Sequence, residues 1–343
     1  MKKVSLLCAL SALAAVLFSA CGTGAKAPGG FDTPVEVRAD SIAVHEIFRP
    51  SFFVITTANW CAAGDKAVII SDDSPDTVAY VYRLPDFKFL YAGIRRGGGP
   101  EDLSYSPAAV PRQTDSQVLF WNPGVLGMYA TLTDTGFVVG DRVTERTRSQ
   151  RLETVPPADS LQVDCSYSES GQALHLFLYD LGHKGWLDSL NIVQQLYSEK
   201  RYEQIYVYRN LPTIIGNGTV YAVVYSYTGR IEFYDVSTGK LVLKKTVVGD
   251  DTPPEELKKK DLSDAPRYWQ LASDGKYLYV LEYVRRENKI TDCNILTYDW
   301  DGNPVGKYHP DKLIHAILAY DGKIYGYNKD MDFEQVYVYD LRL

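Results

Sequence analysis

A short unit recurs along this chain, and its spacing limits the fold more than any other property. Ser273-Asp274-Gly275-Lys276-Tyr277-Leu278-Tyr279-Val280 sets a turn dipeptide ahead of alternating aromatic and aliphatic residues, the strongest short-range hairpin signal a sequence carries. It returns at Tyr320-Asp321-Gly322-Lys323-Ile324-Tyr325-Gly326-Tyr327 and, more loosely, at Gly216-Asn217-Gly218-Thr219-Val220-Tyr221, Ser170-Gly171-Gln172-Ala173-Leu174 and Ala63-Gly64-Asp65-Lys66-Ala67-Val68. A copy without glycine sits at Asp115-Ser116-Gln117-Val118-Leu119. The glycine-to-glycine steps are 47 (171 to 218), 57 (218 to 275) and 47 (275 to 322), and the 107 residues from Gly64 to Gly171 make two steps with Asp115 near the middle. Six copies at a period near fifty predict a repeat architecture, in which each unit buries its apolar face against its neighbours.

The clearest copy runs from Leu211 to Gly249. Thr213–Ile215, Thr219–Tyr225, Arg230–Val236 and Lys240–Val248 read as four short strands joined by Gly-containing turns, the make-up of one antiparallel propeller blade. The prediction is an all-β, six-bladed β-propeller over residues 35–343, and 26 Tyr suit its half-buried pleated surfaces. The last copy shows three strands, at Ile314–Ala319, Lys323–Tyr327 and Gln335–Tyr339. A blade left one strand short exposes an edge. The alternating segment Val35-Glu36-Val37-Arg38 is therefore expected to close the ring, N-terminus to C-terminus, by pairing with Tyr337-Val338-Tyr339. Two segments interrupt the pattern. Asp251 to Lys260 predicts a short helix with proline near its first turn, acids early and bases late. Trp186 to Lys200 is ambiguous, because Leu187, Leu190, Val193 and Tyr197 fit a helical stripe while the flanks look like strand.

Residues 1–20 are a separate matter. Lys2 and Lys3 precede an uncharged run, Val4 to Ala20, which reads as an export signal excluded from fold reasoning. Leu17-Phe18-Ser19-Ala20-Cys21 resembles the bacterial lipoprotein cleavage box, with Phe18 where leucine is usual. That resemblance implies cleavage before Cys21 and a lipid on its thiol, the membrane being reached through that anchor; several acyl chains hold stably where one binds marginally. Residues 21–34, rich in small residues, read as a flexible tether. The tether lacks the acidic cluster found in some surface-exported lipoproteins, which favours the periplasmic face of the outer membrane, with the cell surface as the alternative.

Without Lys2 and Lys3, 34 basic residues stand against 43 acidic ones, a formal −9. That balance does not suit nucleic acid, which selects a basic patch. Cys61, Cys165 and Cys293 are far apart in sequence and read as buried thiols. The five His show no metal-ligand spacing, no Gly-x-Ser-x-Gly elbow occurs, and no cofactor motif is present. Gly93-Ile94-Arg95-Arg96-Gly97-Gly98-Gly99-Pro100-Glu101-Asp102 lacks the Lys-Ser/Thr of a phosphate loop and reads as a glycine crossover between blades. Within it, Gly97-x-Gly99-Pro100-x-Asp102 resembles the Gly-x-Gly-Pro-Gly-Glu-aromatic pattern of TolB-like six-bladed propeller lipoproteins, with Glu101, Asp102 and Leu103 at the positions of the final Gly, Glu and aromatic. The resemblance implies the fold and brings no catalytic residues.

The expected role is a non-catalytic binding or scaffolding domain in the cell envelope. A hydrolytic, glycan-active propeller would instead place carboxylates at the channel mouth. The crossovers between blades and the loops joining second to third strands emerge on one face, which is the expected binding face. It carries Arg95, Arg96, Asp102, Arg142, Arg146, Arg285 and Arg286. With Trp269 and His315 these form the candidate set for an envelope protein or an anionic ligand, since arginine binds carboxylate and phosphate in bidentate fashion.

Overall fold

Six antiparallel sheets stand around a ring in the computed structural model. The structure describes residues 40–49, 57–71, 74–99, 101–103, 106–111, 116–121, 127–143, 161–167, 174–180, 185–192, 196–201, 204–209, 212–247, 254–257, 259–331, 334–341 and 343. Two N-terminal strands come first, β1 (Asp40–Ile42) and β2 (Glu46–Phe48). Blade 1 holds β3 (Thr57–Ala63), β4 (Lys66–Ser71), β5 (Thr77–Arg83) and β6 (Lys88–Arg95). Blade 2 holds β7 (Ala108–Pro111), β8 (Gln117–Trp121), β9 (Gly127–Leu132) and β10 (Phe137–Val143). Blade 3 holds β11 (Leu161–Tyr167), β12 (Leu174–Asp180) and β13 (Gly185–Ile192), and a separate hairpin follows, β14 (Leu196–Arg201) with β15 (Gln204–Arg209). Blade 4 holds β16 (Pro212–Gly216), β17 (Val220–Tyr225), β18 (Ile231–Asp235) and β19 (Val242–Val247). After a single helical turn, α1 (Pro254–Leu257), blade 5 holds β20 (Arg267–Ser273), β21 (Leu278–Arg286), β22 (Lys289–Tyr298) and β23 (Pro304–Pro310). Blade 6 holds β24 (Ala316–Tyr320), β25 (Lys323–Tyr327) and β26 (Val336–Asp340).

The two-residue period of a strand explains why blades stack into a ring. Successive side chains point to opposite sheet faces, and here both faces are covered. In β4, Ala67 and Ile69 pack with Leu318, Tyr325 and Val338 of blade 6, while Val68 and Ile70 pack with Val118, Phe120 and Met128 of blade 2. In β21, Tyr279, Leu281 and Tyr283 meet Ile317, Ile324 and Tyr337 of blade 6, and Leu278 and Val280 meet Ala222, Val224 and Phe233 of blade 4. Tyrosine fits this geometry because its ring packs between blades while its hydroxyl reaches the next backbone. Tyr91 donates to Thr133 O (2.9 Å), Tyr221 to Leu161 O (2.7 Å) and Tyr283 to His315 O (2.7 Å), joining blade 1 to 2, 4 to 3 and 5 to 6.

The ring closes N-terminus on C-terminus, as expected, with a different segment. Glu46, Ile47 and Phe48 of β2 pair with Val338, Tyr337 and Val336, so β2 is the outermost strand of blade 6. Val35–Arg38 lies outside the described residues. β1 does something the sequence did not suggest: it pairs in parallel with β23 and gives blade 5 a fifth strand. The dyad-like spacing of short apolar residues between 35 and 48 fits several registers equally well, and only the position of the two available sheet edges selects one.

Other expectations also change. The ambiguous stretch resolves to strand, at 185–192 because Leu174–Asp180 offers a partner edge to β13, and at 196–201 because β14 pairs with β15. The helix is one turn, so Lys259 and Lys260 fall beyond it, where their N–H groups close turns onto Glu256 O and Leu257 O. Asp274-Gly275 belongs to a four-residue loop rather than a two-residue hairpin. Asp274 Oδ1 accepts from Lys276 N and Tyr277 N, and its Oδ2 accepts from the Tyr279 hydroxyl. At Asp321-Gly322 both residues are left-handed (φ 49° and 71°) and the turn is the tight two-residue form.

Candidate binding site

Each inner strand starts where a crossover arrives, and each second strand ends at the loop leading to the third. The beginnings of β20 and β24, the end of β21, and the loops of residues 226–230 and 328–331 therefore share one face, around the mouth of the central channel. Blades 4, 5 and 6 bring an aromatic–cationic stack together there. Arg267 opens β20 opposite Tyr283, and the register then shifts between Tyr268 and Gln270, leaving Trp269 as the extra residue of a β-bulge. A bulge re-aims the side chain it carries. Trp269 is 45% exposed, an unusual state for an inner-strand indole.

The Arg267 guanidinium carbon lies 4.3 Å from the centre of the Trp269 ring and 4.7 Å from that of Tyr227 on the blade 4 loop. Tyr268 N donates to Ser226 O (2.8 Å), which fixes that loop against β20. Trp269 in turn stacks on Tyr283, with centroids 5.7 Å apart and planes 22° apart. Tyr283 meets the His315 ring edge-on at 6.0 Å. Arg267 Nε is buried without a hydrogen-bond partner, and among the described residues the guanidinium has no ion-pair partner.

The rest of the cluster is neutral or offset. Burial holds the Tyr283 phenol far above the ordinary tyrosine range. Burial also lowers the pKa of His315, against the opposing attraction of Asp330. His315 Nδ1 accepts from Lys329 N (3.3 Å), which leaves Nε2 as the protonated nitrogen, 4.0 Å from Asp330. Arg267 is thus the uncompensated charge of the stack. The two buried glutamates of blades 4 and 5 are each matched to a cation: Glu232 with Arg230 at 2.6 Å and Glu282 with Lys307 at 3.0 Å.

Of the residues singled out in the sequence, Trp269 and His315 stand in this cluster. Arg95 is exposed at the end of β6. Arg96 donates to Ser74 O (2.8 Å), Ser71 O (3.0 Å) and Ser106 Oγ (3.1 Å), tying the crossover to its own blade. Asp102 Oδ2 accepts from Gly99 N (2.8 Å), and a Cβ at Gly97 or Gly99 would come within 2.5 or 2.7 Å of that oxygen, so the glycines make room for the carboxylate. Both residues build the loop. Arg285 is buried and donates to Asn288 Oδ1 (3.3 Å), and Arg286 is exposed beside a two-residue turn at Glu287-Asn288, where a longer loop was expected. Arg142 belongs to β10, opposite Met128; its side chain and all of Arg146 lie outside the described residues. Sequence reasoning missed Arg267, Tyr227 and Tyr283. The first had a signal: Arg267-x-Trp269 puts a cation two positions from an indole, which on a strand is the same side. Tyr227 and Tyr283 come from another loop and another strand, and only the fold brings them near. Trp60 and Trp300 are buried in the apolar clusters between blades, whereas Trp186 and Trp269 are exposed.

The sequence matches no protein-family model and no curated protein. The fold is similar to solved structures. A Bacteroides fragilis structure named "Putative exported protein" aligns at 12% identity and TM-score 0.51 over 90% of this chain and 98% of that one. A member of the duf4221 family from Bacteroides vulgatus aligns at 9% identity and TM-score 0.44 over 90% and 98%. Kuenenia stuttgartiensis hydrazine synthase aligns at 11% identity and TM-score 0.47 over 83% and 84%. At these identities the likeness concerns the fold, and the chain is a six-bladed β-propeller.

Proposed function

We propose that this chain is an exported, lipid-anchored, non-catalytic binding protein of the cell envelope, held at the periplasmic face of the outer membrane through Cys21. On this reading the crossover face of its propeller captures an anionic ligand or the acidic surface of an envelope partner. The observation that carries the reading is Arg267, a guanidinium flanked by two rings at the channel mouth, with no carboxylate paired to it among the described residues. A hydrolytic propeller would gather carboxylates at that mouth; the stack here is built of an arginine, aromatic rings and a histidine, with Asp330 beside the histidine. The export reading rests on residues 1–21, which lie outside the described residues, and agrees with the name of the Bacteroides fragilis propeller. A kinship with TolB-like lipoproteins rests on the same lipobox and on Gly97-x-Gly99-Pro100-x-Asp102.

The test has two arms. Cys21→Ser should move the protein from the membrane to the soluble fraction; a variant that stays in the membrane removes the lipid anchor. Capture of partners from the organism's own envelope should be lost with Arg267→Glu combined with Arg286→Glu at an unchanged melting temperature. Capture that survives this change but fails when the Gly64-Asp65 and Asp321-Gly322 turns are altered would move the binding face to the other side.

A further inference from the structure

We infer that the Arg267 stack is a receptor for a single carboxylate carried next to a flat, apolar-faced ring, as in a sugar acid or an aromatic acid. This rests on the reading that the crossover face binds anions, and names the ligand class for it. Three observations lead there. The first is preorganisation. Arg267 is held by Tyr227 at 4.7 Å and Trp269 at 4.3 Å, and the Tyr227 loop is itself bonded to β20 through Tyr268 N and Ser226 O. Aromatic rings offer a guanidinium their π-clouds and no oxygen acceptors, so its N–H fork is fixed in direction and still unmatched; a carboxylate meets that fork with two parallel bonds. Little side-chain freedom remains to be lost when it does.

The second is charge. Arg267 brings one positive charge. His315 is kept neutral by burial, and the charges of Asp330 and Lys329 act on it with opposite signs at the far end of the stack. A carboxylate is neutralised by one guanidinium. A phosphate group carries close to two negative charges near neutral pH, and on this acidic chain, formally −7, nothing described in the stack offsets the second. The third is the platform. Trp269 is 45% exposed although Tyr283 and Arg267 both lie against it, so an apolar aromatic rim borders the fork. A ligand that places a ring against that rim while its carboxylate reaches Arg267 covers surface that is otherwise costly to leave in water.

The purified lipidated protein in detergent micelles should be titrated by calorimetry with D-galacturonate, benzoate, D-galactose and inorganic phosphate. One or both carboxylates are expected to bind, with galactose and phosphate at least tenfold weaker; the tighter of galacturonate and benzoate tells a sugar acid from an aromatic acid. Arg267→Lys, which keeps the charge and loses the fork, should weaken carboxylate binding at least tenfold. Lys276→Ser, at an exposed position in the turn at the other end of blade 5, should leave it unchanged, with melting temperatures of both variants matching the parent. Phosphate binding as tight as the carboxylates, an Arg267→Lys variant of undiminished affinity, or no carboxylate binding at all would each overturn the inference. Partner capture that still depends on the charged face, alongside absent carboxylate binding, would sink this inference and leave the broader function standing.

Discussion

Gln270 Oε1 accepts a hydrogen bond from the backbone N–H of Ile317 at 2.7 Å, from the inner strand of blade 5 to the inner strand of blade 6. Asn59 repeats the device between blades 1 and 2: its Oδ1 accepts from Ala109 N and its Nδ2 donates to Pro107 O, both at 2.9 Å. Each amide directly follows the register shift of its strand and lies five residues before a turn glycine, Gly275 or Gly64. Inner strands have one edge facing the channel, and a side-chain amide there supplies the acceptor that a neighbouring strand would otherwise give. Gln270→Leu leaves a half-buried N–H without its partner and should cost about 1–3 kcal/mol in chemical denaturation. Gln270→Glu keeps the acceptor and should cost less; a leucine variant as stable as the parent would show that the lock contributes nothing.

Ring closure depends on β2 more than on β1. Phe48 stacks against Phe87 of blade 1 at 6.4 Å while its backbone completes blade 6. A chain starting at Ala43 loses only the added fifth strand of blade 5 and should melt close to the parent. A chain starting at Ser51 loses the closing strand too, with about 2–3 kcal/mol from Phe48 alone and a newly exposed edge on β26. Equal melting of the two truncations would contradict this account.

Arg95 and Arg96 are adjacent and should behave differently. Arg96→Ala removes three hydrogen bonds to Ser71, Ser74 and Ser106 and should destabilise by about 1.5–3 kcal/mol. Arg95→Ala, at an exposed position, should stay within about 0.5 kcal/mol. Thermal melts of the two single variants decide it, and a charge reversal of both together would confuse a folding defect with a binding one.

The three propeller thiols should be silent in the native state. Cys61, Cys165 and Cys293 are buried and unbonded to one another, and burial pushes Cys165 up to about 12, Cys293 to about 11 and Cys61 higher still. The thiolate is the reactive form. At pH 8 a thiol reagent should label none of them until denaturant is added, when three should react in the lipidated protein. A fourth denatured thiol in a chain cleaved before Cys21 would mean an unmodified Cys21.

Stability should fall in mild acid through His315. Burial depresses its folded-state pKa, so the unfolded chain takes up this proton more readily than the folded one. The penalty is absent above the ordinary histidine value near 6.5 and grows as pH drops from there through the depressed folded value. His315→Gln should flatten the stability profile between about pH 7 and 5 relative to the parent. An unchanged slope would place the acid sensitivity elsewhere.

Local chemistry determined a great deal of this protein. Turn residues at a period near fifty fix the number of blades, because Asp321-Gly322 and Gly64-Asp65 reverse the chain whatever surrounds them, and two-residue alternation makes β4 and β21 strands that can be covered on both faces. The tertiary structure decided what depends on which surfaces meet. Edge availability, not pattern, chose Glu46–Phe48 over neighbouring segments as the closing strand. A bulge that no residue type announces turned Trp269 outward. The functional assignments divided the same way: Arg96 and Asp102, legible as charges in a glycine loop, are consumed by the loop itself, because backbone oxygens and N–H groups lie within their reach. Arg267, one cation among many in the sequence, became the unmatched charge at the channel mouth because Tyr227, Trp269 and Tyr283, from a loop and two strands, converge on it without bringing an anion.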